Sequence, residues 1–351
     1  MFWGQLPHLH ATGNSYARRI FFQPKMTDNT LTRIRLRKFR NTGINAALLS
    51  AFFLGLAPVF GKAAMGGADK FSPFAVVALR TGTAALLLLL IMVIFRRQYL
   101  YIYPAGLLGC AIAGSINGVG SIFYYVGLSR LNASVAQVLY ALYPFFVAIW
   151  LRLDHQPTSR LTTLRMILAG LSAILLTWAG PGSIDWLGVL FMLISAAMYA
   201  IHIPINQRVL YDIPAPTVTM YTLLSMSAIV VPAYLIFDRS LPLGDSAPWL
   251  PVLGLTAVTF FSRLTLFMGV KHIGGMQTAL LGLGELLVAI LFSHLWLEER
   301  LTFYQWVGMA GLGLSLLMVW FEKPTPQQPT HTHGLLSWLQ PPDFPSDFYK
   351  R

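Results

Sequence analysis

The chain has 351 residues, of which 56% are apolar and only 11% are charged. Soluble domains carry roughly 25% charged residues, so this composition predicts a polytopic membrane protein and excludes both an ordinary soluble enzyme and a disordered chain. The single cysteine excludes an intramolecular disulfide framework and a cysteine-based zinc site, and the net charge of +12 does not indicate nucleic acid because the basic residues form no patch on a folded domain.

The first 42 residues form a basic segment. It contains eight positive charges and one negative charge, Asp28, and we predict that it is disordered and cytoplasmic. The cluster from Arg33 to Arg40 is typical of an anchor on the anionic inner leaflet of a membrane. Two alternatives stay open: an Arg-rich organelle transit peptide, and translation that begins at Met26.

Ten apolar stretches follow, each close to the 20 or so residues that a helix needs to cross a bilayer. Short connectors rich in turn-forming residues separate them, and the stretches lack the strict alternation of transmembrane strands. We therefore predict an all-α polytopic membrane protein with ten transmembrane helices. The stretches are 43–64, 73–95, 104–126, 133–151, 161–179, 186–206, 215–237, 249–269, 275–296 and 302–321.

The basic residues also predict the orientation. With ten crossings and the N-terminus inside, 18 of the 25 Lys and Arg residues fall inside or at the inner end of a stretch, 4 fall outside and the other 3 lie elsewhere within the stretches, as the positive-inside rule requires. Seven of the nine tryptophans stand at stretch ends, where indole rings meet the headgroups. We predict a multi-pass protein of the plasma (inner) membrane with both termini in the cytoplasm, ending in a disordered, proline-rich tail over 322–351.

An internal repeat relates the two halves of the chain. When the sequence is shifted by about 142 residues, Tyr124–Leu128 falls on Leu266–Val270. This and weaker matches in the same order define two five-helix repeats, 43–179 and 186–321. Because five crossings are an odd number, the second copy enters from the opposite side. The repeats are therefore predicted to be inverted, as in alternating-access transporters whose substrate site lies near the midplane between the halves.

Several short motifs are similar to those of a known family. They are Gly127-Leu128, Ala133–Ala136, Pro144, and Leu297–Thr302 followed by Gly308 and Gly311. With the two-repeat layout, they make residues 43–321 resemble the drug/metabolite transporter superfamily, EamA-domain type. Three positions depart from the family pattern, namely Leu54 before Gly55, Leu286 in place of proline, and Gln156-Pro157 in place of an acid. The resemblance implies a secondary transporter, often an exporter of amino acids, metabolites or drugs, and no single substrate.

Glu285 is the only acid well inside any of the stretches. An ionisable group at the bilayer centre costs roughly 2.5–3.5 kcal/mol, so we interpret it as a proton carrier or an anchor for a substrate amine, with a structural ion pair as the alternative. Arg263 is its predicted partner. The eighth and ninth stretches run antiparallel through a tight turn at Lys271–Gly274, which places the two side chains about 6 Å apart along the helix axes.

Two further basic residues are candidates for the cavity. Arg80 lies deep in the second stretch, where it either lines the cavity or binds a helix end. Lys62, near the outer end of the first stretch, either faces the cavity or extends to the headgroups.

Four uncharged side chains complete the candidate site: His202, Asn117, Tyr140 and Tyr143. Packing is the alternative interpretation for each of them. Asn117 lies in the glycine-rich run Gly114–Gly120, which indicates either a close helix contact or a helix break. The two tyrosines are three residues apart and suit a wall that faces apolar or cationic ligands.

These observations predict a secondary transporter that exports a small organic solute, with protons as the candidate coupling ion. No ATP-binding motif is present, so a gradient would supply the energy. An exchanger of anionic phosphorylated metabolites is the alternative, and a membrane-bound transferase is disfavoured because the acidic residues are scattered over both sides. We expect no enzyme activity, no cofactor and no metal site. The predicted partners are the solute, protons and a bilayer with an anionic inner leaflet, and the sequence leaves open whether the chain forms a homodimer.

Overall fold

The computed structural model describes residues 28–66, 70–131, 133–154, 158–177, 185–238, 247–297 and 303–321. The chain divides into two compact units, Met1–Phe39 and Arg40–Arg351. In the first unit the described residues, 28–39, are helical. Residues 1–27 and the predicted tail over 322–351 lie outside the described residues.

The described residues are helical almost throughout and contain no β-strand. Two 3₁₀ turns, Arg97–Leu100 and Met318–Phe321, accompany the α-helices. The helices are α1 (Asp28–Ala64), α2 (Pro73–Phe95), α3 (Pro104–Arg130), α4 (Ala133–Tyr140), α5 (Tyr143–Leu153), α6 (Arg160–Thr177), α7 (Trp186–Leu210), α8 (Ala215–Phe237), α9 (Trp249–Ile273), α10 (Gly275–Gly282), α11 (Gly284–Leu297) and α12 (Phe303–Leu317).

Local sequence signals begin several of these helices. The Ser72 hydroxyl caps α2 by accepting a hydrogen bond from the Ala75 N–H at 3.0 Å. The first turns of α2, α3, α5 and α8 each contain a proline, where a missing N–H removes no helical hydrogen bond. Asp185 caps α7 by accepting from the Leu187 N–H at 2.9 Å. These ends explain why the predicted boundaries lie close to the observed ones.

The first predicted boundary is wrong. Helix α1 begins at Asp28 and not at residue 43, so the prediction of disorder over 1–42 fails for residues 28–42. The segment is rich in Leu, Arg and Lys, which are good helix formers.

All ten predicted stretches are helical in their described residues, but two of them are interrupted. The fourth divides into α4 and α5 at Ala141-Leu142, and the ninth divides into α10 and α11 at Leu283. Within the described ranges, six helices contain segments long and apolar enough to cross a membrane, namely α1, α2, α3, α7, α8 and α9.

The third stretch is unbroken, and its glycines serve helix packing. Helix α3 runs continuously from Pro104 to Arg130. A Cβ atom at Gly114 would lie 2.5 Å from the Thr222 carbonyl oxygen of α8. The glycine-rich run is therefore a close helix contact and not a helix break.

Apolar side chains cover the outer faces of the helices. Leu164, Ile167, Leu171 and Ile174 of α6 are each more than half exposed. Their spacing of three or four residues places them on one face of the helix. Such a continuous apolar stripe is the surface expected against lipid tails.

The two halves share their helix boundaries. Shifting α2 by 142 positions gives 215–237, the bounds of α8, and shifting α4 gives 275–282, the bounds of α10. The interruptions at Ala141-Leu142 and at Leu283 also correspond under this shift. The same order of helices, including one broken helix, thus occurs twice.

Candidate functional site

The two helix interruptions meet in the structure. At the first, Pro144 lies in the first turn of α5, and a proline cannot donate to the carbonyl four residues before it. At the second, Gly282 and Gly284 flank Leu283, and glycine is a poor helix former.

Tyr143 joins the two interruptions directly. The Leu283 N–H donates to the Leu280 carbonyl oxygen and not to the Ala279 carbonyl oxygen, as it would in a regular α-helix. The Tyr143 hydroxyl donates to this Ala279 oxygen at 2.8 Å. A Cβ atom on Gly282 would overlap the Tyr143 hydroxyl oxygen. The contact between the two broken helices therefore requires glycine at this position.

We expect Gly282→Ala to destabilise the protein by about 1–3 kcal/mol, the usual effect of overpacking. Tyr143 is 2% exposed and cannot move aside without disturbing its neighbours. Thermal unfolding in detergent measures the effect. A Tyr143→Phe background removes the overlapping oxygen, so Gly282→Ala should lower the free energy of unfolding by clearly less in that background. Equal costs in both backgrounds would show that the overlap does not govern this position.

A buried cavity lies beside the interruptions. Its charged lining residues are Arg80, Arg263 and Glu285, and two further predicted residues, Asn117 and Tyr140, also line it. Helices α1, α2, α3, α4, α7, α9 and α11 contribute to the wall. Five of the eight predicted site residues are thus brought together.

Arg80 is held against the cavity wall by an aromatic ring. Its guanidinium carbon lies 4.8 Å from the centre of the Tyr125 ring, and its Nη1 donates to the Thr259 hydroxyl at 3.3 Å. The side chain is 7% exposed, and its Nε has no hydrogen-bond partner. Stacking orients this cation without neutralising its charge.

Arg263 and Glu285 face the same cavity without forming an ion pair. The Arg263 guanidinium stacks on Tyr199 at 5.3 Å. Within the described residues, Arg263 Nη1 and Glu285 Oε1 are buried and have no hydrogen-bond partner, and the ion pairs present do not include them. Among the described residues the predicted direct pairing is therefore absent, although both side chains line the cavity.

The tyrosines form a cluster behind the cavity. Tyr140 lines the cavity, and its ring centre lies 4.9 Å from Tyr124 and 5.7 Å from Tyr143. Tyr143 packs edge-on against Tyr199 at 4.9 Å. Tyr143 is thus a support behind the wall and not a lining residue.

Two predicted residues lie away from the cavity lining. His202 is fully buried, packs 4.7 Å from the Tyr199 ring and hydrogen-bonds the Tyr199 carbonyl through Nδ1. The Lys62 ammonium donates to the Leu131 carbonyl oxygen at 2.8 Å. The contact of Lys62 is structural, whereas His202 keeps a buried Nε2 atom that has no hydrogen-bond partner.

Sequence reasoning did not select five polar lining residues: Ser121, Tyr124, Tyr125, Gln137 and Ser195. The Gln137 amide donates to the Tyr124 hydroxyl at 3.2 Å, and Gln137 Oε1 is buried without a partner. A polar residue seven positions before Pro144, in an apolar stretch that a proline divides, is a signal that could have found Gln137.

A second polar cluster lies at the ends of α5 and α7. The Arg208 guanidinium donates to Asp154 Oδ2 through Nη2 at 2.7 Å and Nε at 3.2 Å. These side chains are 6% and 1% exposed. Nearby, Gln207 Oε1 accepts from the Gly275 N–H at 2.7 Å, at the start of α10. Sequence reasoning treated Asp154 as one of several scattered acids and missed this pair.

A third pair lies at the surface, before α7. Arg130 Nη1 lies 3.1 Å from Asp185 Oδ2, and both side chains are more than a third exposed. The hydrogen bond from Arg130 lowers the pKa of Asp185 below its usual range. Exposed pairs of this kind contribute little to stability.

Comparison with known proteins identifies the family. The family model of the EamA-like transporter family matches the chain twice, at residues 41–179 and 186–321. The chain belongs to the EamA-like transporter family. The resemblance drawn from the short motifs is therefore confirmed, and the chain is a multi-pass membrane protein.

Two curated relatives are similar over part of the chain. The uncharacterized transporter YcbK of Bacillus subtilis (strain 168) is 24% identical over 201 residues, which cover 54% of this chain and 64% of YcbK. This chain thus matches just under two thirds of that protein's length. An uncharacterized transporter of Archaeoglobus fulgidus is 26% identical over 217 residues, which cover 62% of this chain and 76% of that protein.

A solved crystal structure shares the fold of this EamA-like transporter. It superposes with a TM-score of 0.65 at 14% sequence identity, and the match covers 80% of this chain and 96% of the other. The similarity supports the fold and says nothing about the transported solute.

Proposed function

We propose that this EamA-like transporter is a gradient-driven secondary transporter that moves a small organic solute through the cavity by alternating access. The observation that supports this most directly is the pair of helix interruptions, one in each copy of the family model, which meet where Tyr143 contacts Ala279. Discontinuous helices at corresponding positions of two repeats are typical of the substrate sites of secondary transporters.

We further propose that the ten stretches all cross the membrane and that the two copies are inverted. Each copy contains five stretches, an odd number, so the second must enter from the opposite side. The distribution of Lys and Arg favours cytoplasmic termini in a plasma membrane. Green fluorescent protein fluoresces when it folds in the cytoplasm, so a dark C-terminal fusion at normal expression would contradict this topology.

Protons are the proposed coupling ion, and Glu285 is their proposed carrier. Its carboxyl is 3% exposed, lines the cavity and has an unpartnered oxygen. An ionisable group buried without a partner is costly in a membrane and indicates a functional role. The direction of transport, export, rests on the family resemblance.

Alternating access can be tested with one introduced cysteine. The only native cysteine, Cys110, is fully buried and is not a lining residue, so the wild type is the matched control. A Ser121→Cys variant places a thiol on the cavity wall. We expect a membrane-impermeant methanethiosulfonate to label it from either face of oriented vesicles, while the wild type stays unlabelled. Access from one face only, under all gradient conditions, would contradict the mechanism.

Transport itself is tested in proteoliposomes with amino acids, nucleosides and phosphosugars, with and without a pH gradient. We expect uptake of at least one class above that of protein-free liposomes, and acceleration by the gradient. Failure to transport any of the three classes would count against the proposed function.

A further inference from the structure

The cavity has more positive than negative side chains. Among its described lining residues, Arg80, Arg263 and Glu285 are the charged ones. With Glu285 ionised, the lining carries a net charge of +1. Each of the three is at least nine-tenths buried, so bulk water does not screen them as it would at a surface.

Arg208, a buried arginine outside the cavity lining, shows the contrast. Arg208 meets Asp154 through two hydrogen bonds. Arg80 and Arg263 instead stack on tyrosine rings and have unpartnered guanidinium nitrogens, Nε and Nη1 respectively. A ring face holds a guanidinium in place but does not supply the charge-assisted hydrogen bonds that a carboxylate would.

Two acceptor atoms of the lining residues also have no partner. Glu285 Oε1 and Gln137 Oε1 are both buried without a hydrogen-bond partner. They suit an amino or hydroxyl group on the same solute, since each is an acceptor. The cavity therefore offers two cationic donors to acidic groups and one anionic acceptor to a basic group.

We propose that the transported solute is a small organic anion of net charge −1 whose carboxylate groups bind Arg80 and Arg263 and whose amino group binds Glu285. This inference rests on the proposed function and specifies its substrate class. A solute of net charge −1 neutralises the cavity, whereas a zwitterion leaves a positive charge and a phosphomonoester dianion leaves a negative one. Uncompensated charge in a membrane interior is disfavoured.

Matched solutes test the charge requirement. L-Aspartate and L-asparagine have nearly the same shape but net charges of −1 and 0, and L-glutamate and L-glutamine form a second pair. In proteoliposomes we expect the acid of each pair to be transported about tenfold faster than its amide, and faster than glucose 6-phosphate. A tenfold ratio corresponds to about 1.4 kcal/mol of selective interaction.

Substitutions of the two cavity arginines test whether they cause the preference for the acid over its amide. Arg80→Gln and Arg263→Gln should each reduce the ratio of acid to amide to near 1, and Arg263→Lys should retain part of it because the charge remains. Arg130→Gln removes an exposed arginine outside the cavity and should leave the ratio unchanged. If the glutamine variants do not fold, the acid-specific rise in the melting temperature of the wild type and of Arg263→Lys gives the same information.

The outcomes separate this inference from the proposed function. Transport of the amide at the rate of the acid, or of a neutral or cationic solute in preference to any anion, would overturn the charge requirement and leave the transporter mechanism in place. Faster transport of glucose 6-phosphate than of the amino acids would contradict the proposed binding of carboxylates and indicate that the arginines bind a phosphate group. An absence of any transport would count against both.

Discussion

Replacing Glu285 by glutamine is expected to abolish the effect of a pH gradient on transport. Glutamine has nearly the same shape but binds no proton at ordinary pH. Without a proton carrier, the initial rates with and without the gradient should be equal, so their ratio should fall to near 1. The measurement is the initial rate in proteoliposomes with and without an imposed pH gradient.

The same variant should be at least as stable as the wild type. Glu285 Oε1 has no hydrogen-bond partner and the residue is 3% exposed, and a neutral amide is less costly to bury than an unpaired carboxylate. A fall in transport without a fall in melting temperature would show that the Glu285 carboxyl serves transport and is not needed for stability. Glu285→Asp keeps the carboxyl and should keep part of the gradient dependence.

Asp185→Asn is the matched control for an acid-to-amide change. Asp185 is exposed and caps α7, and asparagine caps helices about as well as aspartate. Its gradient dependence should equal that of the wild type. A Glu285→Gln protein that still responds fully to the gradient would remove the proposed role of this residue.

The second large effect concerns the buried ion pair. We expect Asp154→Asn or Arg208→Gln to lower the free energy of unfolding by about 3–5 kcal/mol, because each removes one charge of a buried ion pair. The two hydrogen bonds of 2.7 and 3.2 Å would lose their charged character. Denaturant or thermal unfolding in detergent measures the change.

Exchanging the two charges tests whether the pair itself is responsible. In Asp154→Arg with Arg208→Asp, the opposite charges remain, and part of the lost stability should return. Arg130→Gln breaks an exposed pair and should have little effect. If the two single variants at the buried pair are as stable as Arg130→Gln, the ion pair does not hold α5 against α7.

The sequence predicted the helices because each depends on neighbouring residues. Length and hydropathy located the ten stretches, and connectors rich in turn-forming residues separated them. The shift of about 142 residues located the two copies that the family model also matches. Buried charge alone selected Glu285, Arg263 and Arg80, because an ionisable residue stands out in any apolar stretch.

The partners of these residues were decided by the tertiary structure alone. Arg263 stacks on Tyr199 and does not pair with Glu285, whereas Arg208 pairs with Asp154, 54 residues away. Side chains reach only a few ångströms, so partners depend on the rotation and tilt of each helix about its neighbours, which hydropathy does not encode. The interruption at Leu283 shows this most clearly, since no proline marks it and the Tyr143 contact exists only when the two halves are packed together.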